Sequence, residues 1–103
     1  MSSGPVPLRL LPDSSRIAAG GALSVGGCDV AELAATYGTP VFVYDEVHLR
    51  DRCREAIAAF GEGNVVYATK AFLCTAMARL AHEEGMLLDV ATGGELHLSL
   101  IHI

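Results

Sequence analysis

Basic side chains are scarce in this sequence: seven Lys and Arg stand against twelve Asp and Glu, for a formal charge of −5. No Lys/Arg cluster offers a stripe for a phosphate backbone, which argues against a nucleic-acid partner. Long apolar runs are missing as well. The strongest, residues 39–44 and 86–91, fall far below the ~20 residues of a membrane-crossing helix, so no membrane partner is expected. Residues 1–9 lack a basic stretch followed by the apolar core of a secretion signal, and the expected location is the cytoplasm. Cysteine is rare and odd in number. Cys28, Cys53 and Cys74 form neither a disulfide framework nor a CxxC motif, and the expectation is three small buried hydrophobes. His48, His82, His97 and His102 show no HxxxH or HExxH spacing, so no metal site is expected and surface histidines are the default.

What is present reads as a globular α/β protein: 51% hydrophobic, 18% charged, four prolines and no low-complexity run. Pro5, Pro7 and Pro12 and the glycine pairs at 20–21 and 26–27 mark residues 1–35 as an irregular leader with one or two short strands. A short helix is predicted at its end, capped by Asp29, with Leu33 on its buried face and Gly38 just past its end.

Regular structure is expected from Pro40 onward. Val41-Phe42-Val43-Tyr44 is a β-branched and aromatic run of strand length. Asp45 can cap a helix whose apolar face is Leu49, Cys53, Ile57 and Phe60, with Glu46 and Arg50 as a favourable i,i+4 pair and Gly61 and Gly63 ending it. Residues 64–69 read as a second strand. Leu73, Met77, Leu80 and Ala81 mark a second apolar helix face, closed by Gly85. Residues 86–91 read as a third strand, and Thr92-Gly93-Gly94-Glu95 as the start of a third helix.

The resulting β-α-β-α-β-α order is the pattern of parallel strands joined by helical crossovers. An open doubly wound sheet and a closed eight-stranded barrel share it, and three units do not decide between them. A dinucleotide-binding sheet is disfavoured, because Asp45-Glu46-Val47-His48 stands where GxGxxG would follow the first strand.

In either architecture the functional face lies at the carboxyl ends of the strands. Lys70, the only lysine, follows the second strand directly. One reading is a solvated lysine at a strand end. The other is an imine-forming lysine, favoured by the apolar company of Tyr67, Ala68, Ala71 and Phe72, since desolvation lowers a lysine pKa. An ordinary lysine is neutral in only about 0.04% of molecules at pH 7, and Schiff-base chemistry needs the free amine. Asp89 and Glu95 fall at and just after the third strand's end, where they could face the same site. They could equally be a strand-end carboxylate and a first-turn helix charge. Gly93-Gly94 could present amides to an anion, although such a pair is more often a turn.

Tyr67-Ala68-Thr69-Lys70-Ala71-Phe72 resembles the lysine motif of the pyridoxal-phosphate-dependent ornithine/diaminopimelate/arginine decarboxylase class. Asp89-Val90-Ala91-Thr92-Gly93-Gly94-Glu95-Leu96 is similar to that class's next block, at a fitting spacing. Gly26-Gly27-Cys28-Asp29, followed by Tyr37-Gly38-Thr39-Pro40-Val41-Phe42-Val43-Tyr44-Asp45, looks most like the bacterial branch acting on diaminopimelate. In the ornithine and arginine branches the lysine block more often ends in Cys-Asn or Ala-Asn. The resemblance runs through about His97.

That resemblance implies an alanine racemase-like (β/α)8 barrel of TIM type, with residues 36–97 as its first three βα units. A β-sandwich would follow, which the leader of residues 1–35 would join. It implies pyridoxal 5'-phosphate (PLP) as cofactor, held by Lys70 as an imine, with Asp89 beside cofactor and lysine and Glu95 ordering the region. The implied reaction replaces Lys70 by the substrate amine, releases CO2 and delocalises the carbanion into the pyridine ring before protonation at the same carbon. With meso-diaminopimelate the product is L-lysine. The ring-stacking histidine, the glycine-rich phosphate loop, the acidic partner of the ring nitrogen and a cysteine from a second subunit are expected beyond Ile103. The parent is thus expected to be a homodimer with shared active sites, and the 103-residue chain alone inactive.

Three alternatives stand beside this. A related decarboxylase could act on ornithine, arginine or another basic amino acid. An alanine racemase shares barrel and lysine, but the Gly-Gly-Glu-Leu block argues against it. A non-catalytic PLP-binding protein keeps only the barrel, which the Gly-Pro leader fits poorly. Finally, Leu98-Ser99-Leu100-Ile101-His102-Ile103 matches an in-frame reading of the transposon end CTGTCTCTTATACACATC used in sequencing libraries, so residues 98–103 are expected to be a non-native tail.

Overall fold

The computed structural model describes residues 7–90, 93, 94 and 97. It divides into two compact units, Met1–Leu49 and Arg50–Ile103.

The first unit holds β1 (Arg16–Ile17), β2 (Leu23–Val25), β3 (Cys28–Asp29) and α1 (Val30–Tyr37). The three strands form one antiparallel sheet in the order β1-β2-β3. Val25 pairs with Cys28 across Gly26 and Gly27, whose φ values of 60° and 82° suit a tight two-residue hairpin that only glycine enters at both positions without strain. The leader is therefore more regular than expected, because glycine pairs that look like breaks in the sequence are the turns of a small meander. Asp29 caps α1 as expected, its Oδ1 accepting from the N–H groups of Ala31 and Glu32 at 2.8 and 3.2 Å. Gly38 follows the helix, with its N–H on the Ala34 carbonyl at 2.8 Å.

The strand expected at Val41-Phe42-Val43-Tyr44 is absent: these residues are in neither helix nor strand. Phe42 is 86% exposed. β-Branched and aromatic residues fit a half-buried pleated surface, and their preference alone does not make a strand. Cys28 is exposed and Cys74 half-buried, so only Cys53 fulfils the expectation of a buried thiol. Cys28 sits in β3, an edge strand of the three-stranded sheet.

Asp45 is the centre of the first unit's polar network. It is buried, and its Oδ1 accepts from the N–H groups of Val47 and His48 at 3.0 and 3.3 Å, capping α2 (Glu46–Phe60). Its Oδ2 accepts from the Ser14 hydroxyl, and Ser14 Oγ in turn accepts from the Gly26 N–H at 2.8 Å. His48 Nδ1 accepts from the Asp13 N–H at 2.9 Å.

The second unit contains the rest of α2, β4 (Val66–Ala68), α3 (Thr75–Glu83) and β5 (Leu87–Asp89). β4 and β5 are parallel, with Val66 opposite Leu87, Tyr67 opposite Leu88 and Ala68 opposite Asp89. The core is Met77, Ala78, Leu80 and Ala81 of α3 with Cys53 of α2. This bears out the apolar pattern read for both helices, although Leu73 precedes α3 and Phe60 is exposed. Gly85 ends α3 at φ 84°, and its backbone leads into β5 through Met86 N–H on the Ala81 carbonyl at 2.9 Å. Glu84 receives Arg50 and Arg54 at 2.8 Å each, and Arg50 also reaches Glu83 at 3.0 Å. Hydrogen bonds from Arg54 and then Arg50 hold the Glu84 carboxyl below its ordinary value. Burial first, and the Glu84 charge second, raise the Cys53 thiol pKa.

The Ser14 hydrogen bond holds the Asp45 carboxyl below its ordinary value, against the opposing effect of burial and with help from the His48 and Val47 amides. A depressed carboxylate adds stability above its unfolded pKa of ~3.9 and loses it as pH falls through the lower folded value. Asp45→Ala should therefore cost about 1 kcal/mol at neutral pH, the usual worth of an N-cap, and less in acid below pH ~3.9. Urea unfolding followed by helical circular dichroism at both pH values checks this.

Candidate functional site

Val66 and Tyr67 are the β-branched and aromatic residues of β4, and Leu87 N–H reaches the Val65 carbonyl just before it at 3.0 Å. Parallel pairing brings the carboxyl ends of both strands to one edge. At that edge β4 passes straight into a 3-10 turn, Thr69–Ala71, which carries Lys70 at its middle.

Lys70 is exposed. The apolar neighbours expected to desolvate it do not enclose it within this chain, because Ala68 and Ala71 are themselves exposed and Phe72 only half-buried. Asp89 stands at the end of β5, exposed, in register with Ala68 two residues before Lys70. The two strand-end candidates are thus brought to the same edge. Glu95 lies outside the described residues, as does the tail of residues 98–103. Gly93, Gly94 and His97 have helical backbone.

Two residues whose hydroxyls the sequence reading gave no role hold this edge. Thr69 is only 2% exposed, and its Oγ1 donates to the Asp89 carbonyl at 2.7 Å. The Tyr67 hydroxyl donates to the Phe72 carbonyl, closing a loop around Lys70. A threonine and a tyrosine in an apolar run read simply as strand formers; only the register, which sets Thr69 beyond the last rung, reveals the hydroxyl's partner. An amine that solvent can reach, on a tethered backbone at the carboxyl edge of parallel strands, can once deprotonated attack an aldehyde carbonyl and form an imine with loss of water. That matches what a covalently held aldehyde cofactor requires of its lysine.

Residues 46–102 match the family model for the pyridoxal-dependent decarboxylases, pyridoxal binding domain. The chain belongs to this family. Among curated relatives, it is 56% identical over 81 residues to the diaminopimelate decarboxylase of Mycobacterium tuberculosis (strain H37Rv), covering 78% of this chain and 18% of that protein. To the diaminopimelate decarboxylase of Bacillus subtilis (strain 168) it is 45% identical over 84 residues, covering 78% and 19%. A crystal structure of diaminopimelate decarboxylase from M. jannaschi superposes with a TM-score of 0.73 at 32% identity, over 88% of this chain and 23% of that one. The chain spans about a fifth of the length of the curated relatives it matches.

Because Lys70 is exposed and is the only lysine, reductive methylation of the native chain should label it about as fast as in urea. Mass spectrometry of the labelled peptide reads both rates. Strong protection in the native state would contradict the placement of this side chain.

Proposed function

We propose that this chain is the leading part of a pyridoxal-phosphate-dependent diaminopimelate decarboxylase, converting meso-diaminopimelate to L-lysine and CO2, with Lys70 as the residue that holds the cofactor. The observation that carries this reading is the placement of the sole lysine. It is exposed, follows the carboxyl end of a strand paired in parallel with β5, and lies inside the stretch that matches the pyridoxal binding domain. The choice of diaminopimelate rests on relatives of that name at 45–56% identity.

Bound at this edge, the cofactor would supply an electron sink for the pair left behind when the carboxylate departs. The chain's own contributions follow from position. Lys70 Nζ must lose its proton to become a nucleophile, and its exposure lets solvent take that proton. Asp89, on the neighbouring strand end, is the carboxylate best placed to face an ammonium or the cofactor's polar edge. Glu95 would help order the loop that follows. The remainder of the longer protein would close the strands into an eight-stranded barrel, add a β-sandwich and complete the site across a homodimer in the cytoplasm.

In the full-length protein, Lys70→Ala should abolish both the near-visible absorbance of bound cofactor and CO2 release. Retention of the absorbance with the variant would place the cofactor elsewhere. A second outcome concerns the chain as it stands. Val66 and Leu87 are 53% and 50% exposed, and parallel strands ordinarily have both faces covered and no free edge. The 103-residue chain should therefore associate in light scattering and release no CO2 from diaminopimelate with added cofactor. A monodisperse active monomer would contradict the reading.

A further inference from the structure

We propose that Thr69 is a positioning residue for Lys70: its buried hydroxyl pins the turn carrying the lysine to the carboxyl end of β5. The proposal rests on the assignment of Lys70 made above. A 3-10 turn of three residues is marginal by itself, and this one has no side-chain cap at Ala68. It is held instead by two side chains that precede Lys70. Thr69 Oγ1 donates to the Asp89 carbonyl at 2.7 Å, across twenty positions of sequence. Tyr67 donates to the Phe72 carbonyl.

The first of these bonds has a cost that packing alone would avoid. At 2% exposure a hydroxyl is penalised unless paired, and valine would fill the same volume without a polar atom. Its pairing is with the strand that carries Asp89, so the bond ties the backbone next to Lys70 to the residue expected beside the cofactor. The register ends at Ala68 opposite Asp89, and the hydroxyl adds a side-chain link just past it. The lysine side chain itself stays exposed. Its four-carbon stem can then swing, while its root does not. Such control matters because displacing a reacting group by about 1 Å can cost up to ~100-fold in rate.

The test uses the full-length protein loaded with pyridoxal phosphate, unmodified and as Thr69→Val, Thr69→Ser and Tyr67→Phe. Borohydride trapping with peptide mapping locates the cofactor, induced circular dichroism in the near-visible reports how rigidly it is held, and steady-state kinetics give kcat and KM. In Thr69→Val the cofactor should still be trapped on Lys70, with weaker induced dichroism per bound cofactor and kcat lowered roughly tenfold at nearly unchanged KM. Thr69→Ser, which keeps the donor, should recover the dichroism and most of kcat. Thr69→Val indistinguishable from the unmodified protein, or Thr69→Ser no better than Thr69→Val, would overturn the positioning role while leaving Lys70 in place. Should Thr69→Val fail to fold, Tyr67→Phe decides in its stead, with the same losses expected and unchanged behaviour overturning the clamp. A label on a residue other than Lys70 in the unmodified protein would overturn the assignment of Lys70 and this proposal together.

Discussion

Parallel pairing of β4 with β5 is the constraint on which the candidate site depends. Three register pairs, ending at Ala68 opposite Asp89, bring two residues twenty-one positions apart to one edge and let the chain leave both strands on the same side. The residues that follow β4 are then committed to a 3-10 turn that carries Lys70. In parallel α/β architectures that edge is where ligands bind, because every connection there is a loop free to carry chemistry. A register slip of one residue would turn each strand's side chains to the opposite face and carry Asp89 away from the lysine's strand end.

How much of this could be read beforehand depended on whether a feature is local. The caps were legible because a capping carboxylate acts within three residues: Asp29 and Asp45 accept from the amides two and three positions on. The buried faces of α2 and α3 were legible because helical periodicity repeats within the element, which placed Cys53, Met77, Leu80 and Ala81. The order strand, helix, strand around Lys70 followed from the same patterns. Long-range effects were not legible. Nothing local tells that Val41-Phe42-Val43-Tyr44 stays out of strand, or that the Ser14 hydroxyl finds Asp45 across thirty-one positions. The double engagement of Glu84 by Arg50 and Arg54 spans a similar separation.

The lysine shows the difference most clearly. Its position after a strand and its motif were apparent in the residues themselves, whereas its environment was not. Apolar neighbours in sequence do not bury a side chain; only packing elements can, and among the described residues none cover Lys70. The exposed faces of Val66 and Leu87 speak to the same point. Both fit a segment that spans about a fifth of the length of its curated relatives. On the proposed reading the segment would contribute an anchor and its backbone tethers, while desolvation of the amine and recognition of substrate would belong to the larger protein.

The central claim is that Lys70 holds the cofactor at the shared edge of β4 and β5. A crystal structure of the full-length protein grown with pyridoxal phosphate tests it most directly. The account predicts continuous density between Lys70 Nζ and the cofactor, Asp89 in contact with that group, and the Thr69 hydroxyl still on the Asp89 carbonyl. Cofactor bound away from this edge, or joined to a different residue, would contradict it.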